Sequence, residues 1–204
     1  MGSGELTFGH VDNLIQRDPV TACPVMHASG IKGALREHYA PSSNSALEEN
    51  KWKNIFGWAP ESAAEPGSPG WIKFFDARLL LLPLRASRNV FYLATSIRTM
   101  KEYCADLLNL RSDTDNNPVI SQCLTNLEKF YDCCKGAEFL CYNLPDKLEI
   151  EDFSGGQSLE NGQEWKTFTD IFLPGIKVEQ IAIFNDELFA DICSNRIPVI
   201  ARNV

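Results

Sequence analysis

The sequence has little of what marks a zinc protein, a membrane protein or a secreted protein. Its seven cysteines are scattered without one CxxC pair, and its three histidines all lie near the front, whereas structural zinc sites usually need such paired ligands. No run approaches the ~18–20 uninterrupted apolar residues of a membrane-spanning helix. The opening residues, MGSGELTFGHVD, carry neither a basic nor an apolar segment. We therefore expect no secretory signal and a reducing, cytoplasmic location.

The familiar nucleotide-binding and catalytic motifs are also missing. The chain contains no P-loop, no GxGxxG and no Ser-His-Asp order, and the lysine of SGIKG lacks the Walker spacing. Adjacent or alternating carboxylates occur at Glu48/Glu49 and Glu149/Glu151, but in polar surroundings that favour a solvated surface. An ordinary hydrolase or nucleotide-dependent enzyme is thus disfavoured.

Charge is unevenly distributed along the 204 residues. The net charge is −8, but residues 1–100 carry ten Lys/Arg and nine Asp/Glu (net +1) while residues 101–204 carry nine and eighteen (net −9). A general nucleic-acid coat is therefore excluded, whereas a local basic site in the first half is allowed. We expect the acidic half to face away from any nucleic acid.

Hydrophobic periodicity predicts an α+β fold with a largely antiparallel sheet. The predicted helices are 29–39 with Ser29 as N-cap, 46–57 ending at Gly57, 97–110, 119–134, and 186–193 capped by Asn185. The predicted strands are 71–86, 90–96, 138–142, 147–153, 181–184 and 197–204. The apolar run Leu79–Leu82 is typical of a central strand that is buried on both faces.

The first predicted helix carries the clearest candidate for binding an anion. Ile31, Ala34, Leu35 and His38 are spaced to form a buried face, which leaves Lys32 and Arg36 on another side near Ser29. A phosphate group would find free backbone N–H groups and two cations there, and Arg17 can reach from the preceding loop. The alternative is an ordinary capped helix with two exposed basic residues.

Asp12 is the other candidate, in a loop between His10 and Asn13. A loop aspartate is usually a turn residue. It is also suited to bind a divalent metal beside phosphates or to act as a base, and the residues alone do not decide between these roles.

Five stretches occur in an order that belongs to a known family. They are GSG (2–4), VDNLIQR (11–17), PVMHASGIKGALR (24–36), IFG (55–57) and DARLLLLPLRA (76–86). Together they resemble the RAMP-superfamily backbone subunit of the type III-B CRISPR RNA-targeting (Cmr) complex. The resemblance is clear over residues 2–100, faint to 180, and returns weakly at IFNDELFADICSNRIPVIAR.

The resemblance implies an RRM-like, ferredoxin-type core with an extended β-hairpin thumb. We expect a single RAMP domain over residues 1–204 that is fragmentary at both ends, with 101–180 as a helical and β-hairpin insertion. One departure lies in the family motif GSSLKG, where this chain has Ala28-Ser29-Gly30-Ile31-Lys32-Gly33. The lysine and the following glycine are kept.

The resemblance also implies a function in antiviral defence. Such subunits stack as a helical filament on a guide crRNA, beside other type III-B subunits, and cut single-stranded target RNA at regular intervals. The cleaving, metal-binding residue of the family falls on Asp12, with Mg²⁺ or Mn²⁺ bound in the presence of target RNA. Arg17, Ser29, Lys32 and Arg36 are then the expected guide-RNA contacts.

Three other hypotheses stay open from the sequence. The chain can be a guide-binding scaffold in which Asp12 is silent, a backbone subunit of the related type III-A complex, or an unrelated α+β enzyme acting on a small molecule. The long leucine run followed by PLR favours type III-B over type III-A. The missing nucleophile and base disfavour the small-molecule enzyme.

Overall fold

A computed structural model describes residues 15–41, 46–58, 67–110, 115, 117–133, 136–159 and 162–197. The chain divides into two compact units that meet in sequence at Arg78 and Leu79.

Helices and mixed sheets confirm the predicted α+β class. The predicted strand 197–204 lies almost wholly outside the described residues, and the division into one domain with an insertion stays a prediction. No helix among the described residues has the length and apolar character needed to cross a membrane.

The second unit is built on a five-stranded sheet whose order is β5-β6-β9-β7-β8. Its strands are β5 (Leu82–Arg85), β6 (Phe91–Ser96), β7 (Phe139–Cys141), β8 (Gly156–Ser158) and β9 (Ile181–Phe184). Strands β5 and β6 form an antiparallel hairpin, with Leu82 opposite Ala94. The pairs β6–β9 and β7–β8 are parallel, however. The sheet is therefore mixed: the pairs β5–β6 and β7–β9 are antiparallel as predicted, and the other two are not.

Three long helices cover one face of this sheet. They are α3 (Ile97–Leu110), α4 (Asn117–Cys133) and α5 (Gly162–Phe172). Their apolar residues join Ile181 and Ile183 of β9 in one core cluster. Because side chains alternate along a strand, Phe184 points to the opposite face, where its ring lies 5.3 Å from that of Phe139. Helix α6 (Asp186–Asp191) follows β9. Its predicted cap is confirmed, since Asn185 Oδ1 accepts the Leu188 N–H at 2.8 Å.

Two strand predictions in this unit fail, for different reasons. Leu79 to Leu82 are only partly buried, and β5 lies at the sheet edge rather than at its centre. Residues 147–153 form a tight turn in which the Ile150 and Phe153 backbones bond each other. Lys147 and Glu151 adopt positive φ angles of 54° and 50°, which a strand does not allow.

The first unit is smaller and has two short ladders. Strand β1 (Val25–Met26) pairs with β4 (Ala77–Arg78), and β2 (Gly57–Trp58) pairs with β3 (Ser68–Pro69), both antiparallel. Helices α1 (Ala28–His38) and α2 (Ala46–Phe56) lie between β1 and β2 in sequence. The single continuous strand predicted over 71–86 is therefore wrong, because only β4 and β5 form within it.

Helix α1 begins one residue earlier than predicted, so Ser29 is its second residue rather than its N-cap. The reason is a distant carboxylate. Asp76 Oδ1 accepts the Ala28 N–H at 2.7 Å, and Asp76 Oδ2 lies 3.4 Å from His27 Nδ1. The expected buried face is also wrong, since no residue of α1 is buried.

Gly57 gives the first test of this architecture. It ends α2, as predicted, with a φ of 77°, and a Cβ there would lie 2.6 Å from the Gly70 nitrogen. We expect Gly57→Ala to lower the free energy of unfolding by more than ~1 kcal/mol, as measured by urea denaturation. Alanine is strained in the left-handed backbone at this position, and its Cβ would clash with Gly70. Gly33→Ala is the control, because its Cβ meets nothing within 4 Å and alanine favours a helix by ~1 kcal/mol. Equal effects of both changes would contradict the account.

Asp76 gives a second test, which depends on pH. The Ala28 N–H bond, followed by the contact with His27, lowers the pKa of Asp76 below its ordinary value of 3.8. A carboxyl group with a lowered pKa stabilises the fold fully above its unfolded pKa and loses this effect as the pH falls through the folded value. We expect Asp76→Ala to be less stable than wild type at neutral pH, with the difference shrinking below 3.8. A difference that is constant with pH in thermal melts would refute this.

Candidate nucleic-acid interface

Helix α1 brings three of the predicted contact residues to one face. Ser29, Lys32 and Arg36 stand at positions i, i+3 and i+7 of a continuous helix, and this spacing aligns side chains along one side. Ser29 is exposed, while Lys32 and Arg36 are half-buried. The structure therefore unites a hydroxyl and two cations on the helix that the sequence indicated.

Arg36 has a structural role in addition to its charge. Its guanidinium lies 4.7 Å from the centre of the Trp52 ring, and the Trp52 indole N–H donates to the Arg36 carbonyl at 2.9 Å. These contacts hold α1 against α2 through a cation–π pair. The stacked guanidinium is thereby oriented.

Arg17 lies in a separate element, a hairpin formed by residues 16–25. The Val25 N–H donates to the Gln16 carbonyl at 2.9 Å, and Arg17 Nη1 donates to the Ala22 carbonyl at 2.7 Å. Asp18 Oδ1 accepts the N–H groups of Val20 and Thr21, and these bonds, the Thr21 one first, lower the pKa of Asp18. The hairpin thus presents a fixed turn just before β1 and α1.

Asp12, the predicted catalytic and metal-binding residue, lies outside the described residues, as does His10. Among the side chains that the structure describes, no three of His, Cys, Asp or Glu converge as a metal site. The described residues therefore supply no complete ligand set of their own. The role of Asp12 stays a prediction.

Sequence reasoning missed the pair formed by His27 and Asp76. The two residues are 49 positions apart and adjoin the paired strands β1 and β4, so the ladder brings them together. Their individual patterns gave no sign of this, since Asp76 lay within a presumed strand. The pairing fixes where α1 begins and hence how Ser29 and Lys32 are presented.

An apolar groove with a volume of about 540 Å³ lies beside the same helix. It is bounded by Leu35 of α1, by the apolar side of α2, and by the segment that follows β3. Phe74 of that segment stacks on Phe56 of α2, with ring centres 6.1 Å apart and planes at 11°. Ile72 lines the groove next to Phe74. The segment 71–76 is therefore anchored by its even-numbered apolar residues.

Comparison with known proteins places these features in a family. The model of the RAMP superfamily matches residues 1–187. A curated relative, the CRISPR system Cmr endoribonuclease Cmr4 of Pyrococcus furiosus, is 34% identical over 106 residues, which are 52% of this chain and 34% of the relative. The chain thus spans about a third of the length of the curated relative it matches.

Solved structures show the same fold. Oligomeric Cmr4 from Pyrococcus furiosus superposes with a TM-score of 0.64 at 22% identity, over 93% of this chain and 68% of that one. A chain of the type III-B Cmr-beta complex bound to cognate target RNA gives a TM-score of 0.62 at 15% identity, over 95% of this chain and 64% of that one. With the family model matching nearly the whole sequence, these findings establish that the chain belongs to the RAMP superfamily.

Proposed function

We propose that this chain is a backbone subunit of a type III-B CRISPR RNA-guided complex. The observation that carries the proposal is the alignment of Ser29, Lys32 and Arg36 on one face of α1, in a chain similar to Cmr4. Its partners are a guide crRNA, a single-stranded target RNA, further copies of itself and other type III-B subunits. The proposed location is the cytoplasm.

In this proposal α1 binds the guide through its phosphates. Lys32 supplies a point charge, Arg36 a guanidinium oriented by Trp52, and Ser29 a hydroxyl donor. Contacts of this kind position RNA without reading its sequence, because the sequence is read by pairing between guide and target. Arg17, from the neighbouring hairpin, adds a fourth contact.

Target cleavage is assigned to Asp12, which precedes that hairpin in sequence. RNA carries its own nucleophile, the 2′-hydroxyl, so the protein needs only to align the backbone and assist proton transfer. A divalent ion, Mg²⁺ or Mn²⁺, would be held by Asp12 together with RNA phosphate oxygens. It would stabilise negative charge on the phosphate. A regular spacing of cuts follows if each subunit of a filament contributes one Asp12.

Lys32→Ala tests the guide-binding role. Loss of one phosphate contact should weaken guide binding uniformly across sequences and reduce the slope of log affinity against log salt by about one. Lys53→Ala is the matched control, because Lys53 lies on α2 of the same unit and pairs with Glu49 at 2.7 Å. Filter binding of guide RNA over a salt series measures both. An unchanged slope for Lys32→Ala would contradict the role.

Asp12→Ala tests catalysis in the reconstituted complex. We expect the regularly spaced cuts in target RNA to disappear while target binding is retained, and EDTA to abolish cleavage by the wild type. Cleavage products resolved on sequencing gels and a parallel binding assay give the two readouts.

Persistent cuts with Asp12→Ala would favour the scaffold hypothesis, in which this subunit binds guide RNA and another chain cleaves. Cleavage that survives EDTA would remove the metal from the mechanism but leave Asp12 in place. Assembly with type III-A partners rather than type III-B partners would move the chain to the related complex.

A further inference from the structure

The segment between β3 and β4 has two chemically different sides. Ile72 and Phe74 line the apolar groove against α2, and Phe74 stacks on Phe56. Trp71 and Phe75 do not line that groove, and 77% and 65% of their surfaces are exposed. Lys73, between them, is also exposed. Ile72 lines the groove but is itself 50% exposed, so Phe74 is the better covered of the two even-numbered residues. We call the exposed odd-numbered residues Trp71, Lys73 and Phe75 the aromatic ladder.

The high exposure of the two large aromatic side chains, Trp71 and Phe75, calls for a physical explanation. Each leaves apolar surface in water, which costs about 25 cal/mol per Å², and the groove beside them offers apolar surroundings that Ile72 and Phe74 use instead. The ladder does not serve the core of its unit. Such surfaces mark binding sites when the residues cluster.

The chemistry of the ladder favours single-stranded RNA over a protein partner. Bases stack on aromatic rings whatever their sequence, and a nearby cation contacts the phosphate. Lys73 stands between Trp71 and Phe75 in sequence and is exposed, so it is available as that cation. The cation between the two aromatic residues is the feature that favours a nucleic-acid partner, because it adds a phosphate contact to the stacking surfaces.

The ladder is also fixed close to the candidate guide-binding helix. Phe75 directly precedes Asp76, whose carboxylate bonds the first residue of α1. Phe74 on the other side is held by Phe56. The two anchors restrain the segment from both sides of Phe75, which reduces the entropy lost when a base stacks on it.

We propose that Trp71, Lys73 and Phe75 form a stacking platform for unpaired bases of single-stranded RNA, with Lys73 contacting the phosphate. The inference rests on the proposed function, since it extends the RNA-binding surface of α1. It adds a contact with bases to the contacts with phosphates. The platform would hold nucleotides that are not paired between guide and target.

The test measures binding of short fluorescein-labelled homopolymers of uridine and of adenosine to the full chain. We expect Trp71→Ala and Phe75→Ala each to weaken binding ~10-fold, for both homopolymers, and Trp71→Phe to retain most of the affinity. Lys73→Gln should lower the salt slope by about one. Phe91→Ala and Lys177→Gln are the matched controls, since both lie in the other unit and are exposed.

Ultraviolet crosslinking distinguishes direct contact with RNA from a merely structural role, because only residues that touch the bases form crosslinks. Bases that stack on the ladder should crosslink to Trp71 or Phe75, as identified by mass spectrometry, in the full chain and in the assembled complex. Wild-type affinity in both alanine variants, or crosslinks only elsewhere, would overturn the platform.

The outcomes separate this inference from the proposed function. If the wild type binds neither homopolymer nor guide RNA, the proposed function fails and the platform fails with it. If the wild type binds RNA and the ladder variants bind equally well, the platform alone is overturned. If the variants keep RNA binding but lose self-association in sedimentation, the ladder is a protein contact and the inference is wrong.

Discussion

The parallel pairing of β6 with β9 is the constraint on which the larger unit depends. All four residues of β9 are buried, so the strand must have neighbours on both edges and cover on both faces. Strands β6 and β7 supply the edges, and α3 to α5 supply the cover on one face. A parallel pair needs a long crossover connection, and the helical residues between β6 and β9 provide it. The position of these helices thus follows from the strand direction.

The smaller unit is held together differently. Its two ladders have two residues in each strand, and α1 has no buried residue. Specific contacts replace a large core: Asp76 at the start of α1, the Arg36–Trp52 pair between α1 and α2, and the stack of Phe74 on Phe56. Each of these contacts also orients a side chain or segment that we assign to RNA binding. In this proposal, local stability and RNA binding are therefore coupled in this unit.

The proposed roles divide between phosphates and bases. Phosphate contacts on α1 are electrostatic and independent of sequence, and so they suit a subunit that must accept any guide. Stacking on Trp71 and Phe75 is equally tolerant of sequence, because every base has an aromatic face. A backbone subunit built in this way leaves all discrimination to base pairing. The acidic second half of the chain does not oppose this arrangement if it faces away from the RNA, which stays a prediction.

The sequence by itself determined the elements with strong local signals. Helix α3 was predicted over its full length because its apolar residues repeat with the helical period, and Asn185 and Gly57 marked helix ends through their own chemistry. The motifs also identified the RAMP superfamily.

The burial of apolar runs and the contacts between distant residues depended on tertiary structure alone. Leu79–Leu82 form a run that is typical of a central strand, yet burial depends on neighbouring strands, and among the described residues β5 pairs with β6 alone. Asp76 bonds the start of α1, 48 positions away, because the adjoining strands β1 and β4 pair. No local pattern encodes such a contact.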